Sequence, residues 1–425
     1  PSPPSGRTVT SVAGRQLTLD HTTQRSERSV VAFLAFLSVI LAFGIDSSLP
    51  AFEELRSEFD LRDGSGEVSL VVTAYFLGMA AGQIVWGLSS DRIGRRLALL
   101  GGLSLYGIGA AGSAFAGSMN MLLLARFVWG LGAAGPSVLR NSIARDLYSG
   151  DRLARVTSLT MAIFLIGPAI APSVGELILL TGEWRFVFAA AVPLALVAVV
   201  WTIRFGETLA PENARPVDLA SIRRGSAAFF RTRTTIGYSA STTLASGAFF
   251  IFLGSGQPIV DEIYGYGDWF ALVFFGIAAF IGITVWTSSR YISRFGADRV
   301  GAIATTVMVA TAAVFLVTCL VTDGRPPFAV WFALVMVFAA FTTVSTPAFI
   351  AMAMTPMAKV AGLASALNGV MTIGIASLLA VVFDRMIDDT VTPMAAGFLL
   401  YSSLAFLVAA WARGGSREVV DPFST

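Results

Sequence analysis

The sequence predicts an all-α membrane protein of twelve transmembrane helices, set as two six-helix bundles around a central cavity. Three observations predict it. Of 425 residues, 55% are hydrophobic and only 13% charged, against roughly 25% charged in soluble domains, and the mean hydropathy is +0.74. Twelve apolar runs are each long enough to cross a hydrocarbon core of about 30 Å as a helix. Arg and Lys fall very unevenly on the two sides that such runs define.

Taken in order, residues 1–28 are polar, with Arg7, Arg15, Arg25 and Arg28 and no apolar core. They read as a cytosolic tail and not a cleavable signal peptide, so the first hydrophobic helix directs insertion itself. The first six predicted spans are 29–52, 67–88, 97–116, 119–141, 156–181 and 184–204, making an N-terminal bundle over 29–204. Residues 205–235 carry Pro211, Arg215, Pro216, Arg223, Arg224, Arg231 and Arg233 and read as a cytosolic linker. Its basic face suits either solvent or anionic lipid. The second six spans, 236–260, 269–288, 300–320, 328–353, 360–383 and 393–411, make a C-terminal bundle over 236–412, and 413–425 form a cytosolic tail. With the N-terminus inside, 23 of the 29 Arg and Lys are cytosolic, five (Arg56, Arg62, Arg185, Arg325, Arg385) are outside, and Arg126 lies within a span. Both termini are therefore expected in the cytoplasm of a bacterial inner membrane.

Composition also excludes chemistry. A net charge of +2 is too small to suggest nucleic-acid binding. The single cysteine, Cys319, lies in an apolar run and the single histidine, His21, in the polar tail, so disulfides, cysteine metal sites and chemistry that needs His pairs or a His-based triad are unavailable. No enzyme activity, cofactor or metal is expected, and the chain is expected to act as a monomer.

Four stretches stand out. Gly87-Leu-Ser-Ser-Asp91-Arg92-Ile-Gly94-Arg95-Arg96 joins the second and third spans, and Gly94 permits a tight turn there. It is faintly repeated about 200 residues later as Ser289-Arg-Tyr-Ile-Ser293-Arg294-Phe-Gly296-Ala297-Asp298. Leu124-Ala-Arg126-Phe-Val-Trp129-Gly130-Leu-Gly132-Ala-Ala134 places an arginine in the fourth span, at a cost of about 2.5–3.5 kcal/mol, so it should face a cavity or a carboxylate unless it snorkels. In Gly167-Pro168-Ala-Ile-Ala171-Pro172-Ser-Val-Gly175-Glu176, small residues four apart form one face for close helix contact, and two prolines favour a bend. Gly44-Ile-Asp46-Ser-Ser-Leu49-Pro50-Ala51 puts an acid in the first span, a functional position by default.

The twelve-span plan and these motifs resemble the major facilitator superfamily, and within it drug:proton antiporters of the Bcr/CflA type, which include phenicol exporters. The resemblance covers nearly all of 29–411 and is strongest in the first half. It implies that Asp91 meets a helix N-terminus of the other half and steadies the outward-facing state. It also implies that Arg126 shares in proton coupling, that Gly167-Pro168 is the start of an antiporter signature, and that Asp46 stands in a first-helix stretch commonly Asp-Met-Tyr-Leu-Pro-Ala. Departures are Trp129 where the family usually has Gln, Glu176 for a glycine, and Ser47-Ser48 for Met-Tyr. Phe205-Gly206-Glu207-Thr208-Leu209 is a weaker match to Pro-Glu-Thr-Leu.

Counted from the predicted outer ends, Asp46, Arg126 and Glu176 share a depth of roughly 8–11 Å. This allows one charged cluster in which Arg126 tunes Asp46, the leading proton carrier, with Glu176 a second acid or a mouth residue. The C-terminal spans hold no comparable acid, since Asp261, Asp384, Asp388 and Asp389 fall at helix ends or loops. Tyr75, Trp129, Tyr238, Phe249, Phe250, Gln257 and Asn368 are the candidate substrate-cavity residues by type. The expected activity is export of small amphipathic drugs, phenicols among them, driven by the proton gradient and not by a cofactor. A carrier of a single metabolite, such as a sugar or organic acid, and a transport-dead sensor are the competing readings.

Overall fold

The computed structural model describes residues 26–61, 66–148, 150–210 and 219–415. Arg7, Arg15, His21 and Arg25 of the tail, Arg62, linker residues Pro211, Arg215 and Pro216, and the terminal segment 416–425 lie outside them. The described residues are helical and include no strand. The first half holds α1 (Glu27–Asp46), α2 (Phe52–Glu58), α3 (Leu70–Ile93), α4 (Arg95–Ala114), α5 (Met119–Leu147), α6 (Gly150–Leu179), α7 (Trp184–Ala189) and α8 (Ala191–Phe205). After α9 (Leu219–Arg231) come α10 (Arg233–Pro258), α11 (Phe270–Phe295), α12 (Ala297–Val321), α13 (Phe328–Met354), α14 (Ala361–Gly369), α15 (Ala376–Asp384) and α16 (Thr392–Gly415). Eleven helical stretches of the described residues are long and apolar enough to cross a membrane. The 30-residue α6 occupies the place of the fifth crossing.

Local chemistry sets the breaks. The Ser26 and Ser118 hydroxyls accept from the N–H groups of Ser29 (3.2 Å) and Met121 (3.3 Å), capping α1 and α5. Pro50 cannot continue α1, and a 3₁₀ turn at Leu49–Ala51 leads into α2, so the first crossing runs on to Glu58 instead of stopping at residue 52. In the seventh crossing, Pro258 is followed by a π-helical turn at Ile259–Ile263, and a second π turn at Val370–Ile375 joins α14 to α15. Segment 205–235 is not wholly a loop. It contains α9, which packs on α10 and α14 and buries Phe229 with Met357 and Ala364 while Arg223 and Arg224 stay exposed.

Within the first half, α5 is clasped by α3 and α4, and α1 lies along α6; in the second, α10 runs beside α16 and α12 beside α13. Small residues permit the α3–α5 approach. A Cβ on Gly78 would strike the Phe127 carbonyl, and one on Gly130 would strike the carbonyl of Tyr75. The Trp86 indole then donates to Leu131 O across the same interface at 2.7 Å.

The face bearing the first and last helix ends is here the terminal face, the other the opposite face. The halves meet along a seam of α3 against α10, α14 and α15, and of α6 against α11. At mid-seam Phe76 stacks flat on Phe250, with ring centroids 4.3 Å apart. Near the terminal face Gly87 abuts Ala366, and at the opposite face Arg56 pairs with Glu262. Arg56 is 6% exposed, so it is a seam residue and not simply one of the few cations of that side.

Gly130→Val should force α3 off α5 and cost about 3 kcal/mol, the upper range for overpacking. Thermal unfolding in detergent, with exposed Leu124→Val as the control on the same helix, checks this; equal stabilities would refute the contact.

Candidate functional site

Arg126 has no exposed surface and is satisfied chiefly by main-chain oxygens. Its Nε donates to Val71 O of α3 (3.2 Å), one terminal nitrogen to Gly44 O of α1 (3.0 Å) and the other to the Ser48 hydroxyl (3.2 Å). Aromatic faces enclose it, with Cζ 4.8 Å from the Tyr75 ring centroid, 5.0 Å from Trp129 and 5.7 Å from Phe188. Snorkelling is thereby ruled out. Gly44 is the meeting point: a Cβ there would lie 2.7 Å from the Tyr75 hydroxyl, 3.1 Å from that of Tyr106 and 3.3 Å from the Trp129 indole nitrogen. The Tyr106 hydroxyl donates to Ile40 O at 2.8 Å, whereas the hydroxyls of Tyr75 and Ser47 have no hydrogen-bond partner among the described residues.

Asp46 ends α1 at the break before Pro50 and is 2% exposed. It stands about 18 Å of helical rise from the end of its crossing at Glu58, deeper than a span ending at residue 52 implied. Asp46 and Arg126 interact electrostatically but form no direct ion pair. The antiporter-like face of α6 lies against this segment: Gly167 abuts Ala42, and Gly175 abuts the Ser47 carbonyl. Ala171 and Pro172 are buried, and Pro168 lies in the same helix. Glu176 is not part of the cluster. It is half-buried, and its charged neighbour is Asp268, before α11, because a one-residue step beyond Gly175 turns the side chain away from α1.

At the terminal face the loop motif builds a second network. Gly94 has φ +92°, a conformation glycine takes without strain, and ends α3 where α4 begins. The Arg95 guanidinium bridges Asp91 (2.5 Å), Ser90 (2.9 Å) and Asp146 of α5 (2.9 Å). Arg92 is exposed and Arg96 half-buried. The second Asp91 oxygen lies 4.0 Å from where Gly362, at the start of α14, would carry a Cβ. Glu207 accepts from the N–H groups of Arg95, Thr208 and Leu209 at 2.9 Å and of Arg96 at 3.1 Å, so it caps α4. Gly206 has φ +81°, which proline cannot adopt, so the departure at that position is built into the turn. In the repeat, Gly296 has φ +84°, and Asp298 accepts from Tyr238 (3.1 Å) and Arg413 (2.8 Å).

The substrate-cavity candidates divide. Tyr75 and Trp129 are fully buried as walls around Arg126, and Tyr238, though buried, has its hydroxyl committed to Asp298 near the terminal face; all three are thus packing or network residues. Phe249 and Phe250 are half-buried in α10, where Phe250 lies on the seam. Gln257 and Asn368 are buried with side-chain oxygens lacking a partner among the described residues, although Gln257 donates to Asp261 at 3.2 Å. The expectation of no comparable acid in the second half is corrected by Asp384. It is 1% exposed and accepts from the Ser255 hydroxyl at 2.6 Å, because its helix-end position lies inside the seam. Asp146 and Arg56 were likewise missed; their only sequence signal is charge within a helix that continues past its apolar run.

The chain matches the family model described as the Major Facilitator Superfamily over residues 32–381 and belongs to that family. It is a multi-pass membrane transporter and not an enzyme. It is 28% identical over 374 residues to a bicyclomycin resistance protein homolog of Haemophilus influenzae, covering 87% of this chain and 92% of that one. It is 26% identical over 339 residues to multidrug resistance protein MdtL of Escherichia coli, covering 79% and 83%. These relatives agree with the Bcr/CflA resemblance of the motifs. Among solved structures, a D-xylose–proton symporter superposes with a TM-score of 0.73 at 15% identity, covering 94% of this chain and 99% of that chain. The human organic anion transporter MFSD10 gives 0.65 at 17%, covering 92% and 100%. At such identities the superpositions show the shared fold alone.

Arg126→Lys keeps the charge but loses the planar fork, and should cost about 2 kcal/mol in unfolding measurements, the scale of a hydrogen bond to a charged group. Wild-type stability would show that the fork is dispensable. Desolvation would raise the Glu207 carboxyl, but the N–H donors of Leu209, Thr208, Arg95 and Arg96 outweigh it and hold it below the ordinary carboxylate range. Its stabilisation is then full above the usual glutamate value of about 4.3 and is lost as pH falls through the lower folded value. Glu207→Ala should melt several degrees below wild type at pH 7, with the gap closing below about pH 4; a gap that persisted in acid would contradict this cap.

Proposed function

We propose that the chain is a proton-coupled antiporter that exports small amphipathic drugs by alternating access. The observation that carries the reading is the acid–arginine pair in the first half: Asp46, buried at a helix break, beside a fixed Arg126 that is satisfied by backbone and does not neutralise it by direct contact. A proton on Asp46 removes one charge from a dry site, and its loss restores a charge that Arg126 stabilises. Protonation and drug binding then compete, and the competition is reciprocal by linkage. Supporting the drug reading are the relatives' names, bicyclomycin resistance and multidrug resistance, and phenicols join bicyclomycin as candidate cargo.

The halves rock about the seam, with α3 against α14 at the terminal face and the Arg56–Glu262 pair at the opposite face as the two places that part in turn. Asp91, held by Arg95 and placed beside the start of α14, favours closure of the terminal face through the positive end of that helix. The bias of Arg and Lys supports the terminal face as the cytoplasmic one, in our reading that of a bacterial inner membrane, so that closing it is the outward-facing state. Glu176 belongs to the mouth at the opposite face, where it acts with Asp268 on charged solutes and not on Asp46.

Proton movement in inverted membrane vesicles, on adding bicyclomycin and a series of phenicols one at a time, tests this. Wild-type vesicles should release protons with at least one compound. Asp46→Asn should lower that signal at least tenfold while the folded protein remains abundant. Coupled exchange by Asp46→Asn would overturn the assignment, and no proton movement by wild type with any compound would overturn the cargo class.

A further inference from the structure

We propose that Asp384 is a second proton-binding site, in the second half, whose protonation closes the seam at the opposite face. The carboxyl is wedged among three elements from both halves. It ends α15, accepts one hydrogen bond among the described residues, from Ser255 of α10, and lies over Gly254. A point one Cβ out from Gly254 is 2.7 Å from an Asp384 oxygen and 3.2 Å from the Cβ of Ser69, which belongs to the first half. Ser69, Ser255 and Asp384 are 1%, 3% and 1% exposed, so the seam is dry where they meet.

The surroundings supply little to balance a charge. No Arg or Lys among the described residues pairs with Asp384. On α15's own turn, Arg385 is exposed. From α16, Tyr401 faces it, but that hydroxyl donates to Leu379 O at 2.8 Å. From the first half, Glu67 stands two residues before Ser69 and is no cation; beyond Gly254, Glu262 is engaged with Arg56. An ionised carboxylate with one neutral donor is costly in such a place, whereas the acid form is uncharged and keeps the Ser255 bond. Parting the seam removes Ser69 and admits water, which favours the ionised form. Proton binding and seam closure are then two sides of one linkage. The site stands on its own geometry and does not depend on Asp46 being the proton carrier.

Spin labels on exposed Ser57 of α2 and exposed Tyr266 of the second half, as Ser57→Cys and Tyr266→Cys in a Cys319→Ala background, report the opening. The full chain is placed in lipid nanodiscs without drug, and the distance distribution is followed from about pH 5 to pH 9. The short-distance population should fall as pH rises. Asp384→Asn should hold it closed across the whole range, and Asp384→Glu should restore the pH response. Ser255→Ala, which removes the one donor to the charged form among the described residues, should move the opening midpoint to higher pH. Asp46→Asn should lose drug–proton exchange yet keep the pH response, which separates this site from the antiport reading. A wild-type pH response in Asp384→Asn, an open seam at every pH in that variant, or no response in the parent protein would each overturn the proposal.

Discussion

The first half is organised by the need to hold a guanidinium in a place with no water. Arg126 meets that need with carbonyls of two other helices, and each carbonyl must be brought within about 3 Å. That distance demands glycine where α3 and α5 touch, since a Cβ at Gly78 or Gly130 would hit main chain. It also demands the break after Asp46, which brings Ser48 to the guanidinium while Gly44 O points at it. Tyr75, Tyr106 and Trp129 then close around Gly44, the one residue type whose absence of side chain leaves them room. Asp46 is fixed as a result of this packing, and the fifth-span motif keeps it so by laying Gly175 on the next carbonyl along the chain.

The two halves repeat this architecture in outline but not in charge. Gly94 and Gly296 make the same positive-φ turn at equivalent helix junctions. In the first half the following arginine gathers two acids, and one of these reaches the seam. In the second half an acid gathers an arginine and a tyrosine of its own bundle. Among the described residues, only the first of the two turns offers a charge to the other half. The buried acids are also arranged differently: Asp46 lies inside its bundle beside a cation, and Asp384 lies at the seam beside a hydroxyl.

Long apolar runs and the arginine bias made the crossings and their grouping legible in the sequence, because bilayer thickness acts on every residue of a span alike. Asp46 and Arg126 were legible because a charge inside an apolar run has few physical excuses. The equal depth counted for them and Glu176 was misleading, since the first crossing runs on past its break and depth does not fix the direction in which a side chain leaves a helix. Asp384 and Arg56 show the complementary failure. Both sit where apolar character fades, which reads as a mouth, yet the seam between bundles buries them. Tyr75 and Trp129 were chosen as cavity aromatics by type, and the partner they needed was Arg126. Glu207 looked weak because its neighbour departs from the family pattern; the departure is the positive-φ turn that lets it cap α4.

That cap has a mechanical consequence. Glu207 fastens the start of the inter-bundle segment to α4 of the first half, and Phe229 fastens its far end to the second half through α9. Ala210 and Leu219 are nine peptide steps apart, and no conformation carries nine steps beyond roughly 30 Å. The segment is thus a leash of fixed length, tied at both ends on the terminal face. Opening there is bounded by this tether, and a wider swing must first untie Glu207 or peel α9 away. The opposite face has no such cord among the described residues, so its limit is set by side-chain contacts alone.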